Sequence, residues 1–147
     1  MTSRSRALGF IVLVAAPLLL VQCQKKVAVV SEGEKYLLIW AGDQARKASD
    51  FLAVVNFDPA STDYGKVVKT VPLPNPGDAG NEPHHVGVSA NGKTMACGGL
   101  LSVLKGQKEV FFFDVSNPAD PKFVSAADPP QSAITDEFYP LENGGFL

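Results

Sequence analysis

Phe51–Val71, FLAVVNFDPASTDYGKVVKTV, and Val110–Ala127, VFFFDVSNPADPKFVSAA, share one grammar. Each is an apolar run, then a turn carrying Asp58-Pro59 or Asn117-Pro118, then a second, shorter run. Proline has no N–H to give to a ladder, and Asp or Asn before it starts a turn by bonding its own backbone. Both stretches therefore predict a pair of strands joined by a tight connection. A second pair of stretches corresponds in the same way: HHVGVSANGKTMAC from His84 to Cys97, and DEFYPLENGGFL from Asp136 to Leu147. Each reads as a strand, an Asn-Gly turn and a returning strand. Asn91-Gly92 predicts a two-residue type I′ hairpin, in which both residues need φ > 0. Equivalent segments recur at about 50 to 60 residues, the range of a propeller blade or a similar four-stranded repeat.

Outward from the repeat, the chain continues as strand and turn. Lys35–Gly42 (KYLLIWAG) predicts a short buried strand, and Asp43–Ser49 a loop or one turn of helix. Pro72–Pro83 holds four prolines with Gly77 and Gly80 and reads as a loop. Lys122–Ala126 predicts a short strand, and Ile134–Leu147 two more around the turn Glu142–Gly145. No segment sustains a 3.6-residue apolar period, so the class is all-β. The expected fold over residues 35–147 is a partial β-propeller of about two blades, with a β-sandwich as the alternative. Two blades do not close a ring, so the expectation is the N-terminal part of a longer, truncated array.

The 147 residues carry a formal charge of −2, with 46% hydrophobic and 19% charged content, which suits one folded domain. That balance argues against a nucleic-acid partner, which would require a basic face. At the N-terminus, Arg4 and Arg6 precede the apolar run Ala7–Val21, and polarity returns at Gln22-Cys23-Gln24-Lys25-Lys26. This is the order of a secretory signal over residues 1–22, followed by a linker over 23–34. The run is shorter than the ~20 residues of a membrane span, and Pro17 interrupts it. An uncleaved anchor is the competing reading. Leu20-Val21-Gln22-Cys23 is similar to a lipoprotein box, with Gln22 where a small residue is usual. The expected location is thus periplasmic, or lipid-anchored to the cell envelope through Cys23. Membrane contact would come only through that lipid or a signal anchor. Cys97 is then the one remaining internal thiol, read as a small apolar core residue.

Both histidines of the chain, His84 and His85, stand side by side at the start of a predicted strand. Imidazole is the commonest protein ligand for transition metals. Adjacent strand residues point to opposite faces, so the pair can meet one ion only where the strand is irregular. Pro83, which fixes φ and removes a ladder donor, makes that irregularity plausible. Trp40 and Phe111-Phe112-Phe113 read as core, and Asp58 and Asp114 as turn-closing side chains. Phosphate loops, CxxC pairs and Ser-His-Asp arrangements are absent from the sequence, and no catalytic residue is assigned.

Asp50-Phe51-Leu52-Ala53, then Asp58-Pro59, Ser61 and Tyr64, then Pro72-Leu73-Pro74-Asn75, then His84-His85-Val86-Gly87 form an ordered set of blocks. The set resembles the start of the selenium-binding protein family, which includes the methanethiol oxidases. The resemblance implies a seven-bladed β-propeller of an often exported bacterial type. It also implies copper-dependent oxidation of methanethiol by O2 and water to formaldehyde, hydrogen sulfide and hydrogen peroxide. His84 and His85 match the paired histidines proposed as copper ligands, and the partners implied are a small thiol and O2. Two positions depart from the pattern. Gly65 stands where animal members carry the cysteine of their proposed selenium site. A family stretch containing a histidine falls on Asp136–Tyr139, DEFY, which has none. The alternative function is a non-catalytic propeller used for binding or scaffolding in the bacterial envelope.

Overall fold

The computed structural model describes residues 32–74, 79–132 and 134–147. The signal segment, Cys23, most of the linker and Asn75 lie outside the described residues. Seven strands follow in chain order: β1 (Tyr36–Ala41), β2 (Phe51–Asn56), β3 (Val67–Pro72), β4 (Pro83–Val88), β5 (Thr94–Gly99), β6 (Val110–Asp114) and β7 (Lys122–Ala127). They form two antiparallel meanders, a three-stranded sheet β1-β2-β3 and a four-stranded sheet β4-β5-β6-β7. The only helical turns among the described residues are short 3-10 pieces at Glu32–Lys35 and Val103–Lys105. No helix among them is long and apolar enough to cross a membrane. The all-β expectation holds, and a four-stranded meander is the unit from which propeller blades are made. The described sheets do not close into a ring.

The internal repeat is visible at single residues. The β2–β3 pairing slips register between Val54 and Val55, and the β6–β7 pairing slips between Phe112 and Phe113. Just beyond each slip a side chain closes the strand end on the backbone N–H two residues on. Asn56 Oδ1 accepts from Asp58 N at 3.0 Å, and Asp114 Oδ1 from Ser116 N at 2.9 Å. A second such turn follows in each unit, with Asp58 Oδ1 accepting from Ala60 N and Asn117 Oδ1 from Ala119 N. These bonds are what the Asp-Pro and Asn-Pro signals encode, and they set where each connection reverses.

Packing follows the two-residue period of β5 and β6. Met95, Cys97, Phe111 and Phe113 face the first sheet, where they pack with Trp40, Leu52, Leu73 and Val115. Ala96, Val110 and Phe112 face the other way, against Phe138 and Phe146. The central strands β5 and β6 are therefore covered on both faces. Trp40 joins the sheets directly: its ring lies 5.6 Å from Phe111 and 5.9 Å from Phe113, and its Nε1 donates to Gly98 O at 2.9 Å.

Three sequence expectations need correction. β1, expected as a buried strand, alternates instead, with Trp40 in the core and Leu37 and Ile39 exposed. The β4–β5 hairpin forms, but Asn91 is not in the left-handed region; Gly92 alone is, with φ 71°. Gly92 N donates to Ser89 O at 2.8 Å, and Asn91 Oδ1 accepts from Lys93 N at 3.0 Å. Asn91 thus spends its side chain on an Asx-type bond inside a longer loop, which removes the need for a type I′ turn. The two strands expected in Ile134–Leu147 shrink to one bridge, Pro140↔Phe146, with Tyr139 and Leu147 exchanging both backbone bonds. The turn follows the bridge at once, with Leu141 N donating to Gly145 O at 2.9 Å and Gly144 N to Leu141 O at 3.0 Å, which leaves the ladder this short.

A charged contact also links the sheets. Asp120, just before β7, pairs with Lys122 at 2.6 Å and with Lys69 of β3. Bonds from Lys122 and then Lys69 hold the Asp120 carboxyl down from the usual 3.8 to about 2. A depressed carboxyl stabilises the fold above its unfolded value and loses that contribution as pH falls through the folded one. Stability is therefore expected to drop as pH falls from 3.8 toward about 2. Asp120→Asn should flatten that part of a plot of Tm against pH. An unchanged profile in the variant would remove Asp120 from the account.

Candidate metal centre

Asp50, the first residue of the block that resembles the family, begins the construction of the site. It is fully buried and its carboxylate accepts from Asn81 N at 2.7 Å and Gly80 N at 3.3 Å. Asn81, also fully buried, takes the Ser102 hydroxyl on its Oδ1 at 2.9 Å and Leu101 N on its carbonyl at 2.9 Å. The chain entering β4 is thereby pinned from both sheets. Glu82 follows with φ 59°, a conformation that L residues rarely adopt, secured by Leu100 N donating to its carbonyl and by an Arg46 ion pair at 2.6 Å.

This forced approach delivers the histidines into an irregular strand. Pro83 pairs with Gly99 and Val86 with Cys97, so His84 and His85 together stand against Gly98 alone. Two residues opposite one is a β-bulge, which re-aims side chains that a regular strand would separate. The rings of His84 and His85 meet edge to face, 4.2 Å between centroids. The irregularity expected at the start of this strand is thus present.

Asp136 meets both rings. Its Oδ1 lies 3.4 Å from His84 Nε2 and 3.1 Å from His85 Nδ1. One ligand atom from each of the three residues falls within 4.8 Å of the other two. Among the described residues this is the one cluster of His, Cys, Asp or Glu so placed. All three side chains are exposed, His84 at 39%, His85 at 49% and Asp136 at 74%.

What brings Asp136 there is a close approach of backbones. A Cβ on Gly87 would lie 2.5 Å from Phe138 Cβ and 2.9 Å from Phe138 O. Only glycine lets residues 135–138 lie on β4, which gives a physical reason for glycine in the His84-His85-Val86-Gly87 block. Phe138 is buried against Ala96 and Val110, and Thr135 Oγ1 donates to Glu109 Oε2 at 3.2 Å. Asp136 is held from both sides.

The other candidates fall away from this centre. Cys97 is fully buried beside Phe111 and Phe113, and burial pushes its thiol up, so it is a core residue. Trp40, Phe111 and Phe113 are core as read. Gly65 lies on open surface, and Cys23 lies outside the described residues. Asp136 was not singled out as a ligand from sequence, and the departure DEFY was its one trace.

Two antiparallel meanders with a histidine-carboxylate cluster at a strand bulge define a β-repeat protein with a candidate metal centre. No family model matches the chain. Over 103 residues it is 31% identical to a methanethiol oxidase from Hyphomicrobium sp, a match covering 66% of this chain and 21% of that protein. A hypothetical selenium-binding protein from Sulfolobus tokodaii, known from its X-ray structure, is 25% identical with a TM-score of 0.47, covering 64% of this chain and 22% of that one. The chain thus spans about a fifth of the length of each. The sequence match supports a relationship to the methanethiol oxidases.

Proposed function

We propose that this chain supplies the metal-binding histidines of a methanethiol oxidase-type enzyme. The observation that carries the reading is the bulge that turns His84 and His85 onto one point, in a chain similar to a methanethiol oxidase. The reaction is methanethiol with O2 and water giving formaldehyde, hydrogen sulfide and hydrogen peroxide, one of each. The donor set fits a metal: imidazole nitrogens suit copper, iron and zinc alike, and Asp136 adds an anionic oxygen. Copper, the ion the resemblance implies, would supply a redox centre between a small thiol and O2.

The protein's own residues have separable tasks in this proposal. Asp50 and Asn81 fix the path into β4, Gly98 leaves the bulge its single opposing residue, and Gly87 admits the segment bearing Asp136. The exposed side of the two imidazoles leaves room for a thiol to approach. Residues 1–22 act as an export signal in this reading, with release to the periplasm or a lipid on Cys23.

Oxygen uptake with methanethiol, paired with metal analysis, tests the reading. The protein is expected to consume O2 with methanethiol when metal-loaded, to lose that uptake after chelation, and to regain it on adding copper. Full uptake without metal would contradict the metal site. Bound metal with no thiol oxidation would favour the non-catalytic envelope propeller.

A further inference from the structure

Asp136 has a role beyond closing the cluster. On the reading that His84 and His85 hold a metal, we propose that Asp136 is the third ligand and that it selects a divalent first-row ion over Cu(I). Both spacings to Asp136 fit coordination. Donors about 2.1 Å from one ion, at angles between square and tetrahedral, lie about 3.0–3.4 Å apart. Asp136 Oδ1 is 3.1 Å from His85 Nδ1 and 3.4 Å from His84 Nε2.

The chemistry follows from hardness. A carboxylate oxygen suits divalent ions, whereas Cu(I) seeks thiolate or thioether. Among the described residues the two sulfurs are turned into the core between the sheets: Cys97, across the ladder from Val86, and Met95 are buried with Trp40, Phe111 and Phe113. Two imidazoles and one carboxylate with open positions form the set that suits non-haem Fe(II), and the same donors accept Co(II) or Zn(II). Asp136 is also built into place rather than left to chance. Thr135 is tied to Glu109, Phe138 is buried, and Gly87 admits the backbone between them.

The test is metal titration of the protein and its variants: Co(II) followed by visible absorption, Zn(II) by competition with Co(II), and Cu(I) anaerobically against a chelator. Removing even a group that only supports a ligand typically costs 10–100-fold in affinity. Asp136→Asn is therefore expected to weaken Co(II) and Zn(II) by at least about tenfold, while Cu(I) affinity stays near that of the unaltered protein. Asp136→His should restore divalent binding and strengthen Cu(I). Equal Co(II) affinity in Asp136→Asn would overturn the proposal. Equal losses for all three ions would also overturn it, because Asp136 would then merely orient the imidazoles. His84→Ala and His85→Ala separate the two levels. Divalent binding untouched by both would sink the underlying histidine site, whereas binding lost in these but kept in Asp136→Asn would sink only the role of Asp136.

Discussion

Replacing His84 or His85 by alanine is expected to weaken metal affinity by at least about tenfold and to remove thiol oxidation with it. Folding should hardly change. Both rings are more than a third exposed, and neither belongs to either buried cluster. Exposed substitutions away from caps and cores usually stay within about 0.5 kcal/mol. Metal content, O2 uptake with methanethiol and a thermal unfolding curve on the same samples would separate a lost ligand from a lost fold. The double variant should fall no further in activity than the lower single one, because two ligands of one ion act as a unit. Unchanged metal and activity in both single variants and the double one would leave the pair as ordinary strand histidines.

Gly87→Ala should be the most damaging small substitution in the site. Its new methyl group would sit 2.5 Å from Phe138 Cβ and 2.9 Å from the Phe138 carbonyl, a backbone atom that cannot swing aside. Overpacking of this kind costs about 1–3 kcal/mol. Relief requires residues 135–138 to lift from β4, which withdraws Asp136 from both imidazoles. The variant is therefore expected to lose stability to denaturant and divalent metal affinity together. Gly92→Ala makes a useful contrast. Its φ of 71° strains an alanine, but no atom lies within 4 Å of the new methyl and the turn is remote from the cluster. That change should cost about 1–2 kcal/mol and leave metal affinity alone. A Gly87→Ala protein with unaltered stability would mean that the approach of Phe138 to β4 is not what places Asp136.

Features encoded within a few residues were the legible ones. Asp58-Pro59 and Asn117-Pro118 announced the turns because their side chains bond the adjacent backbone, and the apolar runs on either side of each became β2 and β3, β6 and β7. The bulge at His84-His85 was also anticipated, since two neighbouring imidazoles cannot share a face of a regular strand. Asn91 misled because its side chain found a local acceptor role, which the residue type permits as readily as positive φ. The part of Asp136 was hidden for a different reason. It reaches the histidines from far along the chain, through an approach that depends on Gly87 and on where Phe138 is buried. Through-space contacts of that kind have no period or spacing to betray them. The blocks from Asp50 to Gly87 suggested the family relationship, and the 31% identity to a methanethiol oxidase bears it out.

Crystals of the metal-loaded protein, with diffraction data collected on either side of the absorption edge of the bound ion, would locate the metal. One anomalous peak is expected among His84 Nε2, His85 Nδ1 and Asp136 Oδ1, within about 2.3 Å of each. A peak elsewhere, or loaded crystals with no peak beside the two imidazoles, would contradict that placement.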